Sequence, residues 1–351
     1  MTMQASTAAD TVSLIRHLAD LRGLTGREDA VGEEAARLLS QYVPDAEYSN
    51  GSVTAHLRRG EPGAKRPVLL LCAHLDQVGF LVTDITDDGF LRIGAVGGID
   101  RRILLGRPVS VHGKAGILPG VISILPPHLL KGEQAVPEES MLCVDLGFSS
   151  GEQVREFVRQ GDAVYYAESC RELQNGLITG PALDDRCGVA ALILAAQQLA
   201  QTPDLPCDVT FVFSGQEERG GRGAKLAALN EPADAAIAVD VTFANAADDS
   251  DDCYQLGGGP AIGVSPVLSE ALSDMLLDAA ERAGIPYQTE VMPGTTGTDA
   301  DTLALASGGC AAGTVSIPER YMHTPVEVIA VSDVDRTAAL LTEFAKEYGR
   351  A

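Results

Sequence analysis

The chain alternates between helix and strand patterns over most of its length, and this alternation limits the folds that it can adopt. Amphipathic helices are predicted at residues 9–22 and 28–42, and an apolar run at residues 68–73 is short enough to be a buried strand. In the second half of the chain helices and strands alternate again, with a strand predicted at residues 235–239 and a helix at residues 299–306 among them. This alternation predicts an α/β fold in which helices cover a sheet.

The segment between these two parts has a different pattern. At residues 81–164, short β-type runs alternate with Gly, Pro and Asp turns, and helical periodicity nearly disappears. We therefore predict one larger α/β domain, formed by residues 1–80 and 165–351, that is interrupted by a small all-β domain.

The composition argues against several classes of partner. The chain has 351 residues with 49 acidic and 26 basic side chains, which gives a formal net charge of −23. Such an acidic chain repels nucleic-acid phosphates and anionic membrane surfaces, so neither is an expected partner. No apolar run approaches the roughly 18 residues that a membrane-spanning helix needs. The seven cysteines are scattered without a CxxC spacing, which is typical of reduced core residues, and we expect a cytoplasmic protein.

Potential metal ligands stand where predicted strands end or where the chain turns tightly. His74 directly follows the apolar run, and the other candidates are Asp76, Asp184, Asp185, Glu217, Glu218, Asp240 and His323. Because the carboxyl ends of strands in an open α/β sheet face one crevice, these side chains can converge there. Taken singly, each residue fits a structural histidine or a solvated surface charge. Taken together they favour a bound cation, because an unpaired carboxylate beside a core is unfavourable.

The number and type of these side chains indicate a particular chemistry. Two histidines and three carboxylates are enough to hold two divalent ions, with one carboxylate bridging the ions and a water molecule between them as the nucleophile. A further carboxylate then remains to take the proton of the water. The adjacent pair Glu217 and Glu218 suits this division, because neighbouring side chains on a turn point in different directions. The residues by themselves therefore indicate a two-metal hydrolase.

Ordered motifs spread over nearly the whole chain resemble those of the M42 family of metallo-aminopeptidases. They are His74-Leu75-Asp76-Gln77-Val78-Gly79, Ala182-Leu183-Asp184-Asp185-Arg186, Gln216-Glu217-Glu218 followed by Arg222-Gly223-Ala224, Gly297-Thr298-Asp299-Ala300, and Ile317-Pro318-Glu319-Arg320-Tyr321-Met322-His323-Thr324-Pro325. In the inserted segment, Val96-Gly97-Gly98-Ile99-Asp100 looks like part of that family's small β domain. The resemblance implies a mixed-sheet α/β catalytic domain with an inserted β-barrel-like domain for dimerisation or for a lid.

The resemblance also implies a metal centre of two divalent ions, with zinc or cobalt as the usual metals. Asp184 would bridge the two ions. His74 and Asp240 would complete one site, and Glu218 and His323 would complete the other.

Three further residues receive roles from the resemblance. Glu217 would be the general base and later the proton donor to the leaving amine. Asp76 would accept the distal N–H of the His74 imidazole and fix its tautomer. Asp185 would follow a strained peptide bond after Asp184, for which the cis form is one option.

The implied activity is the removal of N-terminal residues from short peptides by a homo-oligomer, typically a tetrahedral dodecamer built from dimers. Two alternatives remain open. Another two-metal amidohydrolase, such as a carboxypeptidase or a deacylase, would need a cation for a substrate carboxylate, and Arg222 and Arg320 are available. A self-assembling shell without catalysis is the second alternative, and the intact Glu217 argues against it.

Overall fold

Helices and strands alternate through most of the chain that the structure describes. This structure is a computed structural model, and it describes residues 8–59, 65–124, 127–129, 136, 138, 142–246 and 253–350. The helices are α1 (Ala8–Asp20), α2 (Asp29–Leu39), α3 (Gly151–Phe157), α4 (Leu183–Ala200), α5 (Arg222–Asn230), α6 (Glu270–Ala283), α7 (Ala300–Leu303) and α8 (Val331–Glu347). The strands are β1 (Glu47–Ser49), β2 (Ser52–Leu57), β3 (Val68–His74), β4 (Gly79–Ile85), β5 (Phe90–Val96), β6 (Pro108–Gly113), β7 (Gly116–Ile122), β8 (Cys143–Asp145), β9 (Ala163–Tyr166), β10 (Arg171–Glu172), β11 (Leu177–Gly180), β12 (Asp208–Ser214), β13 (Ala235–Phe243), β14 (Ala261–Val264), β15 (Gln288–Val291), β16 (Ala311–Arg320) and β17 (Glu327–Ala330).

The main sheet is mixed and has a parallel centre. Its strands run in the order β1-β2-β12-β3-β13-β16-β17-β11-β10, and β14 and β15 form a side branch from β16. The four central strands β12, β3, β13 and β16 are parallel to one another. Their side chains are buried nearly throughout, which explains why the apolar run at residues 68–73 shows no alternation of polar and apolar residues.

Six antiparallel strands close into a small barrel in the order β4-β5-β8-β7-β6-β9. The barrel strands lie between Gly79 and Tyr166 in the sequence. The barrel has its own apolar core, in which the Phe80 ring packs edge-on against the Tyr166 ring at a centroid distance of 5.8 Å. The barrel is therefore a separate packing unit that the chain enters directly after β3.

Helix α4 lies at the centre of the larger core. Nearly all of its side chains are buried, and it packs against β3 and β13 on one side and against α1 and α8 on the other. A helix that is apolar on all sides is typical of such a central position. Among the described residues, no helix combines the length and the apolar character that a membrane crossing requires.

The predicted α/β fold class with an inserted β barrel is confirmed, whereas several element boundaries differ from the sequence pattern. Strand β13 continues beyond residue 239 because it pairs with β16 as far as Phe243. The helix predicted at residues 299–306 is only the short α7, which ends before a tighter turn at Ala306–Gly308. The inserted segment also contains the short helix α3, although no helical periodicity indicated one. The exact division into residues 1–80, 81–164 and 165–351 stays a prediction.

Arg186 is a charged residue whose side chain is completely buried near the first turn of α4. Its guanidinium donates to the main-chain oxygen of Leu75, just beyond β3, at 2.6 Å. It also donates to the main-chain oxygens of Leu18 and Leu21, near the end of α1, at 2.7 and 3.1 Å. Burial lowers the pKa of Arg186 to about 10, so the side chain stays charged at neutral pH. This one side chain therefore joins α1, α4 and the end of β3.

Replacement of Arg186 by methionine is expected to destabilise the fold strongly. Arg186→Met fills a similar volume but removes the three hydrogen bonds to the main-chain oxygens of Leu75, Leu18 and Leu21, so the free energy of unfolding should fall by about 3–5 kcal/mol. Urea denaturation followed by circular dichroism measures this difference. Arg282→Met is the matched control, because Arg282 is exposed on α6 and its ion pair with Asp278 is long, at 3.9 Å. An equal loss in both variants would contradict the proposed link between α1, α4 and β3.

Candidate metal centre

The structure brings all five predicted metal ligands together at the carboxyl edge of the parallel strands. His74 is the last residue of β3, and the turn after β12 carries Glu218. Asp240 lies inside β13, and His323 follows β16. Asp184 reaches the same edge from the beginning of α4. Since parallel strands place their carboxyl ends on one side of a sheet, residues from distant parts of the chain meet there.

Asp184 lies between the two histidines. Its Oδ1 atom is 3.0 Å from Nε2 of His74, and its Oδ2 atom is 3.1 Å from Nε2 of His323. The backbone of Asp184 is not helical, and its peptide bond to Asp185 is cis, as the resemblance implied. Each oxygen of the Asp184 carboxylate thus faces a different histidine, which is the arrangement that a bridging carboxylate needs.

Glu218 and Asp240 each lie close to one of these histidines. Oε1 of Glu218 is 3.2 Å from Nε2 of His323, and Oδ1 of Asp240 is 3.9 Å from Nε2 of His74. One potential ligand atom from each of His74, Asp184 and Glu218 lies within 4.8 Å of the others. Asp184 thus contacts both histidines, and His74, Asp184 and Glu218 are close enough to act on one ion.

Asp185 is also close to this cluster, because its carboxylate lies within 4.8 Å of ligand atoms of His74 and Asp240. However, its oxygens already accept backbone N–H groups, from His74 at 3.2 Å and from Gly188 at 3.0 Å. Asp185 therefore fixes the backbone at the end of β3 and the first turn of α4.

The cluster concentrates negative charge in a buried place. Burial raises the pKa of both Glu218 and Asp240 above the usual values. Burial opposes the ionisation of Asp184 as well, but its hydrogen bonds with His323 and His74 outweigh burial and lower its pKa. Within the described part of the chain, the ion pairs of these three carboxylates are all with the two histidines. A divalent cation would offset this excess of negative charge, and imidazole and carboxylate groups are suitable ligands for one.

Glu217 lines a cleft together with its neighbour Glu218 and the other metal-ligand candidates. Burial, reinforced by the nearby acids Asp299 and Glu218, raises the pKa of Glu217 to about 8. A carboxyl group with this affinity for protons is suited to acid–base chemistry near neutral pH.

Asp76 supports the centre in a different way from the one that the resemblance implied. Nδ1 of His74 lies 3.1 Å from the main-chain oxygen of Asp76 but 3.7 Å from its Oδ1 atom, so the main-chain oxygen is the hydrogen-bond acceptor. The Asp76 carboxylate instead accepts the backbone N–H groups of Glu217 at 2.8 Å and Glu218 at 3.2 Å, and the hydroxyl of Thr25 at 2.8 Å. The expected acceptor is corrected because the carboxylate is directed to these three donors and fixes the turn after β12.

Sequence reasoning missed two buried acids beside these ligands. Glu327, at the start of β17, accepts the backbone N–H groups of Leu183 at 2.7 Å and Asp184 at 3.3 Å. Glu319 on β16 is 1% exposed, and neither of its carboxyl oxygens has a hydrogen-bond partner in the described structure. Burial raises the pKa of both groups. The available signal was an acid at the start of an apolar strand, as in Glu327-Val328-Ile329-Ala330.

The barrel forms one wall of the centre through two glycines that follow β5. A Cβ atom at Gly98 would come within 3.2 Å of Nδ1 of His323. Gly97 has a φ of +88°, and a Cβ atom there would lie 2.4 Å from the Val78 side chain. Glycine therefore allows the barrel backbone to approach His323 closely.

Beside the centre lies a cleft of about 480 Å³. Beyond the ligand candidates and Glu217, its walls are formed by Val241, Thr242, Phe243, Glu290, Thr296, Gly297, Thr298 and Met322. Among the described residues, the walls include carboxylates, hydroxyls and apolar groups but no lysine or arginine. The cleft has room for a small molecule next to Glu217.

Comparison with known proteins identifies the family. A model of the M42 glutamyl aminopeptidase family matches residues 51–340. The chain belongs to the M42 family. It is thus a hydrolase of the aminopeptidase type, as the sequence motifs implied, and its metal-binding residues fit the metal dependence of such enzymes.

The relatives of this M42 chain share nearly its full length. A lysyl aminopeptidase from Pyrococcus furiosus is 32% identical over 341 residues, which cover 95% of this chain and 96% of the relative. The structure of an aminopeptidase from the archaeon Desulfurococcus kamchatkensis has a TM-score of 0.90 at 36% identity, with 97% of this chain and 95% of that chain covered. The TET1 peptidase of Pyrococcus horikoshii, which can assemble into a tetrahedron or a large octahedral shell, has a TM-score of 0.85 at 33% identity, with 96% and 99% covered.

The position of the Asp76 carboxylate predicts an effect on both metal binding and turnover. Asp76→Asn keeps the shape of the side chain, but an amide nitrogen then faces backbone N–H donors, so the turn with Glu217 and Glu218 should shift. We expect zinc affinity or kcat/KM to fall by about 10–100-fold, as for other supporting groups of metal centres. Competition with a chromogenic chelator measures the affinity. The exposed barrel residue Asp145 offers the control Asp145→Asn, and a normal metal affinity and kcat/KM in Asp76→Asn would disprove this role.

Proposed function

We propose that this M42 aminopeptidase removes N-terminal residues from short peptides with a centre of two divalent metal ions. The observation that carries the proposal is the position of Asp184, whose two oxygens face two different histidines beside Glu217. In the proposed centre Asp184 bridges the ions, His74 and Asp240 hold one of them, and Glu218 and His323 hold the other. Zinc and cobalt both suit this set of nitrogen and oxygen ligands.

The donor chemistry supports this assignment. The buried carboxylates form hydrogen bonds and ion pairs with the histidines. Divalent ions would take the imidazole nitrogens and the carboxylate oxygens together as ligands. When bound, two such ions would lower the pKa of a water molecule and polarise the scissile carbonyl group.

Glu217 supplies the acid–base step in the proposed mechanism. Its carboxylate removes a proton from the attacking water, which then forms a bond to the carbonyl carbon of the first peptide bond. The same carboxyl group then returns the proton to the leaving amine, so that the peptide bond breaks and Glu217 is regenerated. Its position in the cleft wall beside the proposed ligands supports this role.

The charge of the cleft favours an aminopeptidase over the carboxypeptidase or deacylase alternative. A carboxypeptidase would need a cationic side chain to hold the substrate carboxylate. Arg222 donates to Gln216 at 3.3 Å on the exposed surface, and Arg320 donates to the side-chain oxygen of Asn245 at 3.3 Å. Neither arginine lines the cleft, whereas its acidic walls suit the free α-amine of a peptide.

We also propose that the chain forms a homo-oligomer, a dodecamer built from dimers, in the cytoplasm. The dodecamer in the structure of PhTET1-12s, which is 32% identical to this chain, supports this assembly. Exposed apolar side chains on the barrel, including Ile117 at 66% and Val121 at 47% exposure, support contact between barrels of two copies. Cys72, Cys170, Cys187 and Cys207 are buried in the core, where cysteine serves as a small apolar residue, and this use of cysteine fits a reducing compartment.

The direction of cleavage is tested with one peptide and its N-acetylated form. Chelator-treated protein is resupplied with zinc or cobalt, and the products are followed by mass spectrometry. We expect stepwise loss of N-terminal residues from the free peptide only, because the α-amine must be free to bind. Loss of C-terminal residues would favour the carboxypeptidase alternative, and no cleavage with either metal would favour the catalytically inactive shell.

Replacement of Glu217 separates catalysis from metal binding. Glu217→Gln removes the group that accepts and returns the proton, so kcat should fall by about 100- to 10,000-fold. The metal content, measured by inorganic mass spectrometry after desalting, should remain close to that of the unmodified protein because Glu217 is not a proposed ligand. Glu270→Gln, on the exposed start of α6, is the matched control. Full activity in Glu217→Gln would refute its role as the general base.

A further inference from the structure

Glu28 is a buried acid that the proposed mechanism does not use. It is 3% exposed, and it ends the connector between α1 and α2, which comprises residues 21–28. One oxygen of its carboxyl group, Oε1, accepts the backbone N–H of Gly26 at 2.6 Å. The same oxygen accepts the backbone N–H of Gln216 at 3.2 Å. Glu28 therefore joins the connector to the turn after β12.

Gln216 begins the turn that carries the proposed base Glu217 and the proposed ligand Glu218. Its φ is +58°, in the left-handed region that a residue with a side chain rarely adopts unless its surroundings hold it there. Three successive N–H groups of this turn have buried carboxyl groups as acceptors. The N–H of Gln216 goes to Glu28, and those of the next two residues go to Asp76. Such a run of N–H groups favours acidic acceptors, and Glu28 completes the set that Asp76 begins.

The connector has anchors of its own that do not involve the turn. Leu24 is fully buried and forms a parallel β-bridge with Gln77, which lies between β3 and the barrel. The side-chain oxygen of Gln77 accepts the N–H of Gly23 at 3.2 Å, and the main-chain N–H of Gln77 donates to the oxygen of Gly23 at 2.9 Å. On the barrel itself, the hydroxyl of Tyr165 accepts the N–H of Leu24 at 3.3 Å. Glu28 therefore reaches the turn from a segment that other parts of the molecule hold in place.

We infer that Glu28 is a positioning residue for this turn, and that it holds the backbone of Gln216 so that Glu217 stays directed to the attacking water. The inference rests on the proposed aminopeptidase function, in which Glu217 is the general base. Glu28 is not among the described residues that line the cleft, so its effect is exerted through the turn. A displacement of about 1 Å at a reacting group can lower a rate about 100-fold, so loss of this contact should act mainly on kcat. Metal binding should change little, because Asp76 still accepts the N–H of Glu218.

The first experiment observes the turn directly and does not depend on activity. Glu28→Met fills a similar volume but has no oxygen to accept the N–H of Gln216. Hydrogen–deuterium exchange of the protein supplied with zinc is followed by mass spectrometry of peptic peptides that contain residues 214–219. Exchange in this segment should be about tenfold faster in Glu28→Met, because an amide has lost its hydrogen bond. Glu33→Gln, exposed on α2, is the matched control, and unchanged exchange in folded Glu28→Met would overturn the inference.

The second experiment separates positioning from folding and from metal binding. It uses the amino-acid p-nitroanilide that the unmodified protein cleaves fastest. In Glu28→Met, kcat per bound zinc ion should fall by about 10- to 100-fold, whereas KM and the zinc content should stay close to the unmodified values. Glu28→Gln should retain most of kcat, because both N–H groups go to one oxygen atom and the amide keeps such an oxygen. A merely structural role would lower the stability against urea but leave kcat of the folded enzyme unchanged.

The outcomes separate this inference from the proposed function. Unchanged kcat in Glu28→Met, or equal losses in Glu28→Met and Glu28→Gln, would overturn the positioning role while the aminopeptidase activity of the unmodified protein remains. If Glu28→Met does not fold, Glu28→Asp takes its place, because its shorter side chain withdraws the oxygen from Gln216, and the same losses are expected. Release of no residue from any peptide by the unmodified protein, with zinc or with cobalt, would overturn the proposed function itself and the inference with it.

Discussion

The structure depends on the accumulation of buried carboxylates at one edge of its central parallel sheet. Asp184, Glu218 and Asp240 lie around two histidines, and burial makes their ionised forms unfavourable. Negative charges in such a place are tolerated when a cation or well-placed hydrogen-bond donors compensate them. Imidazole and carboxylate groups gathered in this way are the ligands that divalent ions take, so the packing of this region and its chemistry have one physical origin.

Main-chain groups do much of the positioning around these carboxylates. The Asp76 carboxylate accepts N–H groups of the turn after β12, and Glu327 accepts N–H groups at the beginning of α4. Arg186 acts in the opposite sense, because it donates to main-chain oxygens of α1 and of the segment after β3. Backbone groups have little conformational freedom once the sheet is formed, so a side chain that forms hydrogen bonds with them is held in one position. Displacements of a ligand by about 0.5 Å already weaken the function of such centres. This requirement explains why buried charged side chains hold the backbone around the metal-ligand candidates in place.

The barrel and the sheet contribute different surfaces to the site. The sheet supplies the proposed ligands, and the barrel brings the glycines after β5 against His323. The walls of the cleft beside these ligands include residues of β13 and Glu290 of β15, so they also come from the sheet.

The sequence by itself determined the fold class, the inserted β segment and the identity of the residues that converge. Apolar runs that end in His74 or precede Glu217 carry this information, because strand periodicity and the position of a polar residue are local properties. Ordered motifs then identified the family. Only the tertiary structure decided that His74 hydrogen-bonds the main-chain oxygen of Asp76, that Glu319 and Glu327 are buried beside the ligands, and that Glu290 faces the cleft. These features depend on contacts between segments that are distant in the chain. The register of neighbouring strands fixes such contacts, and no local sequence pattern specifies that register.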